Sequence, residues 1–206
     1  MDDFVKNINK SKILLSISVV IGLIIVASLH WQHQMTFNRP KDFNAIRLFL
    51  QKSSAQLLTS KWTVVHVLAG RCACSGFLSQ YLVERKSNIP ADVQELVILI
   101  DPVQKIFEKL KNAGFELFEI SPEEVVKQKL DISGLPLLII YDQNNLVRYA
   151  GGYSDAKINP FTDYHDIEIL QNLQKNIPQQ EFAIRGCVVA KEYQAILDPL
   201  GLKYSN

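Results

Sequence analysis

The chain of 206 residues lacks features that several functional classes need. Its 22 basic and 21 acidic residues give a formal net charge of +1, so the excess positive charge that binds nucleic acid is missing and no nucleic-acid partner is expected. Three cysteines are too few for a disulfide scaffold or a four-cysteine zinc site. The sequence also contains no phosphate-binding glycine loop, no Ser-His-Asp pattern, no internal repeat and no low-complexity tract.

One apolar run interrupts this balanced composition. Ile13–Leu29 carries no charge over 17 residues, which is the lower limit for crossing the core of a bilayer. A signal peptide is the alternative, but its apolar region would be shorter. Because Lys6, Lys10 and Lys12 precede the run, the positive-inside rule places the N-terminus in the cytoplasm. We therefore predict a single-pass anchor in the cytoplasmic membrane, with the rest of the chain in the periplasm or outside the cell.

The pattern beyond this run predicts one α/β domain between two further segments. A linker with a helix over Phe43–Leu58 precedes the domain, and a C-terminal extension that carries Cys187 follows it. The predicted boundaries are 1–34 for the cytoplasmic stub and anchor, 35–60 for the linker, 61–176 for the domain and 177–206 for the extension.

Strands and helices alternate through the domain, which favours a parallel sheet covered by helices, with a terminal hairpin as its antiparallel part. Apolar runs predict strands at Trp62–Ala69, Leu96–Ile100, Phe115–Ile120, Leu137–Tyr141 and Leu146–Ala150. Helical periodicity and start signals predict helices at Phe77–Arg85, Val103–Leu110, Ser121–Leu130 and Asp166–Lys175, with a short one at Lys191–Leu197.

Cys72 and Cys74 occupy the turn between the first strand and its helix. The N–H groups at a helix N-terminus favour negative charge, so a thiol there loses its proton more easily and becomes a better nucleophile. Arg71 adds a positive neighbour and is a candidate substrate-binding residue. The alternative interpretation is two small buried side chains, as unreactive cysteines often are.

This order of elements resembles the thioredoxin-like superfamily. The resemblance rests on a strand, cysteines at the turn, a helix, and then Gly134-Leu135-Pro136 before a hairpin that closes near Gly151 or Gly152. It covers about residues 61–175. It implies a thioredoxin-like fold in which Pro136 is cis and lies beside the cysteine turn, where Leu135 and Pro136 shape the groove for a partner.

Two departures from the superfamily pattern leave the cysteine pairing open. The usual Cys-x-x-Cys is here Cys72-Ala73-Cys74, and Arg71 replaces the usual tryptophan. A bond between Cys72 and Cys74 would need a strained turn. Cys187 is the other candidate partner, although it could equally be a packed core thiol.

His66 is a candidate for handling a proton, because it precedes the cysteines on the same predicted strand and imidazole titrates near neutral pH. In the superfamily a buried carboxylate at the matching place takes a proton from the second cysteine, so the resemblance implies this role for His66. The alternative is a core histidine held by hydrogen bonds.

The function that the sequence favours is a membrane-tethered thiol-disulfide oxidoreductase without a cofactor. Cys72 would attack exported protein thiols or disulfides, Cys74 or Cys187 would resolve the intermediate, and a membrane-embedded protein could supply electrons. Two alternatives stay open. One is a copper or other soft-metal chaperone that uses the same thiols with His66. The other is a non-catalytic interaction module with Tyr153 and Phe161 on its docking surface.

Overall fold

The computed structural model describes residues 13–27, 36–53 and 60–189. The chain divides into two compact units, Met1–Met35 and Thr36–Asn206. In the first unit residues 13–27 form helix α1, whose apolar side chains are exposed. No helix in these described ranges combines the length and the apolar character that crossing a membrane requires, so the predicted membrane-spanning helix is not confirmed. The helix predicted at Lys191–Leu197 lies outside the described residues.

The second unit contains six described elements of helix and seven strands within 36–53 and 60–189. The helical elements are α2 (Phe43–Ser53), α3 (Ala73–Arg85), a short 3-10 turn (Lys86–Asn88), α4 (Gln104–Asn112), α5 (Pro122–Lys127) and α6 (Asp166–Gln174). The strands are β1 (Trp62–Ala69), β2 (Val93–Ile100), β3 (Glu116–Ile120), β4 (Gly134–Leu135), β5 (Leu137–Asp142), β6 (Val147–Gly151) and β7 (Cys187–Val188).

Five strands form the central sheet in the order β3-β2-β1-β5-β6. The first three run parallel, with His66 of β1 opposite Val97 of β2. Strand β5 is antiparallel to β1 and forms a hairpin with β6. The remaining two strands, β4 and β7, form a separate two-stranded sheet. This mixed α/β arrangement is the thioredoxin-like fold that the resemblance implies.

Alternation along β1 sends its side chains to two different cores, because successive residues of a strand face opposite sides. Val65 and Val67 pack with Ile46 and Leu50 of α2. On the other side, Val64 and Leu68 pack in a second core with Leu78 and Leu82 of α3, Ile169, Leu170 and Leu173 of α6, and all three cysteines. The sheet is therefore covered by helices on both faces, and the cysteines belong to the second core.

Local start signals explain where the helices begin. Ser121 and Glu124 form the predicted capping box at α5, in which the Ser121 hydroxyl accepts a hydrogen bond from the Glu124 N–H. Helix α3 begins at Ala73 rather than at Phe77. The residues between them are small or polar and give no apolar period, so the sequence pattern missed the first turn, which carries Cys74.

The turn before α3 requires a glycine for space. A Cβ on Gly70 would lie 2.1 Å from the Asp101 carbonyl oxygen and 2.6 Å from the Val103 nitrogen, and both are backbone atoms that cannot rotate away. We expect Gly70→Ala to lower the free energy of unfolding by about 1–3 kcal/mol, the usual cost of overpacking. Denaturant unfolding of the two proteins measures this difference.

Gly76→Ala is the matched control in the same segment. A Cβ on Gly76, which lies within α3, would meet no atom within 4 Å. Alanine is favoured over glycine in a helix by about 1 kcal/mol, so this variant should be at least as stable as the parent. Equal stability of both alanine variants would contradict the steric account of Gly70.

Candidate functional site

Cys72 is the N-cap residue of α3. Its carbonyl oxygen accepts a hydrogen bond from the Gly76 N–H at 2.9 Å, which begins the helix. Its side chain therefore lies beside the N–H groups of the first turn of a 13-residue helix, where a thiolate is stabilised. The position expected from the sequence for Cys72 is confirmed.

Cys72 forms a disulfide with Cys187, and the two Cα atoms are 6.0 Å apart. Cys72 is 3% exposed and Cys187 is 8% exposed, so both are buried while the bond exists. Of the pairings that the sequence leaves open, this structure contains the one through the C-terminal extension, and the Cys72–Cys74 bond is not formed.

The strand that carries Cys187 lies along the segment before Pro136. The peptide bond between Leu135 and Pro136 is cis, the geometry that the resemblance implies. Cys187 of β7 pairs antiparallel with Leu135 of β4, and Val188 pairs with Gly134. The groove that the resemblance assigns to a partner is thus filled by the chain's own residues.

Further contacts anchor the extension on either side of the disulfide. The Gly152 N–H donates to the Phe182 carbonyl at 2.8 Å, and the Phe37 N–H donates to the Ile184 carbonyl at 2.9 Å. The Val189 N–H donates to the Ser133 carbonyl at 3.3 Å. The Ile184 side chain is buried and packs in the core that faces α2. Between Phe182 and Val189 the extension is therefore held by backbone hydrogen bonds at three points, whereas Gln180, Glu181 and Ala183 are exposed.

Cys74 is not part of the disulfide and lies in the first turn of α3. Its sulfur is 3.6 Å from the Ile158 carbonyl oxygen, to which the thiol donates. The side chain is buried in the same core as Cys72 and Cys187. All three cysteines predicted as site residues therefore belong to one buried core.

Arg71 does not face the disulfide. Its guanidinium Nε is 3.1 Å from the Asp101 carboxylate, and its side chain is 64% exposed. An exposed ion pair of this kind contributes little energy. The substrate-binding role that the sequence predicts for Arg71 stays a prediction. Its support is that Arg71 places an exposed positive charge next to Cys72 in the sequence.

His66 is completely buried and both of its ring nitrogens are occupied. Nδ1 lies 2.8 Å from the Tyr153 hydroxyl, and Nε2 lies 3.0 Å from a Glu95 carboxylate oxygen. Burial lowers the pKa of His66, against the opposing effect of Glu95. The neutral ring therefore donates from Nε2 to Glu95 and accepts at Nδ1 from Tyr153. In this geometry His66 positions Tyr153, and its predicted role in taking a proton from a cysteine stays a prediction.

A buried cluster of charges surrounds the imidazole. Arg85 binds Glu95 at 2.6 Å and Asp166 at 2.7 Å, while Lys86 binds the second Glu95 oxygen at 2.9 Å. Burial alone would raise the pKa of Glu95, but the hydrogen bond from His66 and the charges of Arg85 and Lys86 hold that pKa well below its ordinary value. Two positive and two negative side chains balance, so a proton on His66 would add an uncompensated charge.

Aromatic side chains extend this cluster beyond His66. The Tyr153 ring stacks on His66 and meets the Tyr164 ring edge-on at 6.5 Å between centroids. Burial, with a smaller effect from the charge of Cys74, raises the pKa of Tyr164 to about 12. Tyr153 is fully buried, so its predicted place on a docking surface is wrong, whereas Phe161 is 95% exposed.

Sequence reasoning missed four residues of this site. Glu95 and Arg85 stand next to apolar runs at element ends, where a charge is ordinarily solvated, so only their burial identifies them. Asp166 was predicted only as a helix start. Gly186 precedes Cys187, and a Cβ there would be 2.1 Å from the Leu135 carbonyl oxygen. The Gly-Cys order in the extension was a usable signal for close backbone contact.

The described residues do not support the metal-chaperone alternative. Residues 13–27, 36–53 and 60–189 contain no group of three or more His, Cys, Asp or Glu side chains that could hold a metal ion. Two of the three sulfurs are bonded to each other, and both nitrogens of His66 have partners.

Comparison with known proteins supports the fold. No family model and no curated protein matches the chain. A hypothetical protein from Sinorhizobium meliloti 1021 matches with 16% identity and a TM-score of 0.53, over 66% of this chain and 82% of the other. An uncharacterized conserved protein from Geobacillus kaustophilus matches with 19% identity and a TM-score of 0.50, over 64% and 78%. At these identities the likeness concerns the fold alone.

A thioredoxin-family thiol:disulfide interchange protein from Chlorobium tepidum TLS also matches. Its identity is 16% and its TM-score is 0.35, over 48% of this chain and 72% of that one. A score this low carries no functional argument, so the chemistry is argued from the cysteines of this chain.

The buried imidazole makes stability depend on pH. The unfolded chain takes up a proton at His66 below the ordinary value of 6.5, whereas the folded protein resists it because burial lowers that pKa. Stability from this residue is therefore complete above pH 6.5 and falls as pH drops below it, by up to about 1.4 kcal/mol per pH unit. Unfolding free energies measured between pH 7.5 and 5 should show this slope in the parent and a flatter one in His66→Gln. An unchanged slope in the variant would contradict the assignment.

Proposed function

We propose that the protein is a thiol-disulfide oxidoreductase whose active couple is Cys72 and Cys187. One observation carries the proposal: the cysteine at the N-terminus of α3 is bonded to a cysteine on a strand that pairs with Leu135. Helix position favours the thiolate of Cys72, and strand pairing keeps the second sulfur beside it. The described structure corresponds to the oxidised state of this couple.

The exchange proceeds through a mixed disulfide. The Cys72 thiolate attacks one sulfur of a partner disulfide, and the other partner sulfur leaves as a thiolate. The Cys187 thiolate then attacks the Cys72 sulfur and releases the second partner thiolate. The partner gains two electrons, the protein loses two, and the Cys72–Cys187 disulfide is formed again. A dithiol reductant must then reduce it before the next turnover.

The contacts of the extension favour the direction in which the protein donates electrons. The hydrogen bonds of Phe182 and Ile184 do not involve the sulfurs, so we expect them to hold the extension after reduction and to keep Cys187 near Cys72. In an unfolded chain, closing the loop between Cys72 and Cys187 costs about 4–5 kcal/mol in chain entropy. In the folded protein the extension is already bound, so most of that cost does not oppose formation of the disulfide. Stabilisation of the thiolate by the helix terminus is smaller, about 0.3–2 kcal/mol. The disulfide is therefore the favoured state of the couple.

A structural disulfide is the second candidate, because both cysteines are buried and 115 residues apart in sequence. A structural bond would raise stability without taking part in turnover. The two candidates differ in what happens to a partner, so activity separates them where stability does not.

Variants of the three cysteines test the couple. We expect Cys72→Ser to abolish reduction of insulin disulfides, because the nucleophile is lost. Cys187→Ser should accumulate a mixed disulfide between Cys72 and the substrate, because no thiol resolves it. Turnover by absorbance and intact mass of trapped species measure both effects.

Cys74→Ala is the matched control, since Cys74 lies outside the couple. It should retain turnover within about threefold of the parent, the range of an indirect packing effect. Parent-like turnover in Cys72→Ser would leave the structural disulfide as the better account.

We also propose that the apolar run Ile13–Leu29 tethers the domain to a membrane, in which a redox protein could serve as the reductant. The support is the uncharged sequence of the run and the exposure of apolar side chains around α1. Exposed apolar surface of this extent is costly in water. The exported compartment predicted from the lysines rests on the same segment.

Carbonate extraction tests the tether. Full-length protein should stay with the membrane pellet at high pH, because apolar insertion does not depend on charge. Replacement of three central residues, as in Val20→Lys, Leu23→Lys and Ile24→Lys together, should release it. Release of the unaltered protein into the supernatant would contradict the tether.

A further inference from the structure

Strand β4 has a single strand partner in the described part of the chain, and that partner comes from the extension. Cys187 and Val188 pair with Leu135 and Gly134, and the Val189 N–H reaches the Ser133 carbonyl. Only residues 186–189 of the extension take part in this contact. The anchors at Phe182 and Ile184 lie before it, so this short stretch can leave β4 while Phe182 and Ile184 stay bound.

Pairing of this kind does not depend on sequence. Main-chain N–H and carbonyl groups of β4 need hydrogen-bond partners when they are buried, and any extended chain supplies the same groups. A partner segment can therefore take the place of β7. The restriction on that segment must come from side chains that contact β4 and Pro136.

The tightest restriction falls on the residue before the cysteine. At Gly186 a Cβ would lie 2.1 Å from the Leu135 carbonyl oxygen, 3.1 Å from the Leu135 carbonyl carbon and 3.1 Å from Pro136 Cδ. The first two atoms are backbone and cannot turn aside. After the cysteine, Val188 is buried, which suits a branched aliphatic side chain. A strand in this register must therefore carry glycine directly before its cysteine.

We propose that the partners of this site are extended polypeptide segments with the order Gly-Cys-aliphatic, and that residues 186–188 are an internal copy of them. This inference rests on the proposed oxidoreductase function and specifies its substrate class. In the mixed disulfide, the partner cysteine is bonded to Cys72 and its strand pairs with Leu135. When β7 returns, the Cys187 thiolate attacks the Cys72 sulfur, the partner leaves as a thiolate, and its strand loses its place on β4.

Two disulfide-linked peptide dimers test the inference on the full chain. The first has the sequence of residues 182–189, FAIRGCVV, and the second has alanine in place of the glycine. The protein carries Cys74→Ala and Cys187→Ser, so that Cys72 is its one thiol. Attack of Cys72 on either dimer yields one protein-peptide disulfide and one free peptide thiol, which intact mass follows over time. Rates are divided by those of the same dimers with glutathione.

We expect the glycine peptide to react about tenfold faster or more, because an added methyl group would overpack the contact with Leu135. Adding Gly186→Ala to the protein should raise that rate by a similar factor, because the internal strand would then compete less well. Circular dichroism checks that this variant keeps the parent fold. Equal rates for the two peptides, or no effect of Gly186→Ala, would overturn the inference.

Oxidised glutathione is a third disulfide substrate, and it is too small to pair along β4. Its reaction with Cys72 distinguishes failure of the strand-exchange inference from failure of the proposed oxidoreductase function. If Cys72 reacts with oxidised glutathione but with neither peptide, the strand-exchange inference is wrong and the oxidoreductase proposal stands. If Cys72 reacts with none of the three disulfides, both proposals are wrong.

Discussion

The antiparallel pairing of Cys187 with Leu135 is the contact on which the arrangement of the site depends. It brings a residue from outside the predicted domain to the N-terminus of α3, where Cys72 begins the helix. It also covers the segment before Pro136 and buries both sulfurs. Without this pairing, the segment before Pro136 would be uncovered and no strand would hold Cys187 beside Cys72. The same few backbone hydrogen bonds therefore determine which thiols can exchange and which surface a partner can use.

A second set of contacts below α3 consists of buried ion pairs. Arg85 joins Glu95 to Asp166 and so connects α3, β2 and α6. Removing one member would leave its partner charged and buried, which costs about 3–5 kcal/mol. His66 is held neutral within this balanced set and fixes Tyr153 in turn. Because Arg85 belongs to α3, these ion pairs fix the position of α3 against the sheet. The position of Cys72 at the N-terminus of α3 is fixed with it.

Most of the central fold could be predicted from the sequence, because its strands are continuous apolar runs and its helices carry ordinary periods and caps. The β5–β6 hairpin and the capping box at Ser121 are examples that the structure confirms. The location of Cys187 could not be predicted, since β7 is two residues long and its pairing depends on a contact far along the chain. The role of His66 was open for a related reason. Its neighbours Glu95 and Tyr153 come from distant elements, and only the assembled core shows that they occupy both ring nitrogens.

The distance in sequence between the two bonded cysteines has a consequence for biosynthesis. Cys187 follows Cys72 by 115 residues, so a ribosome completes every strand of the central sheet before it adds Cys187. Until that point Cys74 is the other cysteine in the nascent chain. The cross-link can close only after Cys187 has been added, and the sheet that receives β7 has been synthesised by then. Its presence on a newly made molecule therefore marks a chain that has been translated into the extension.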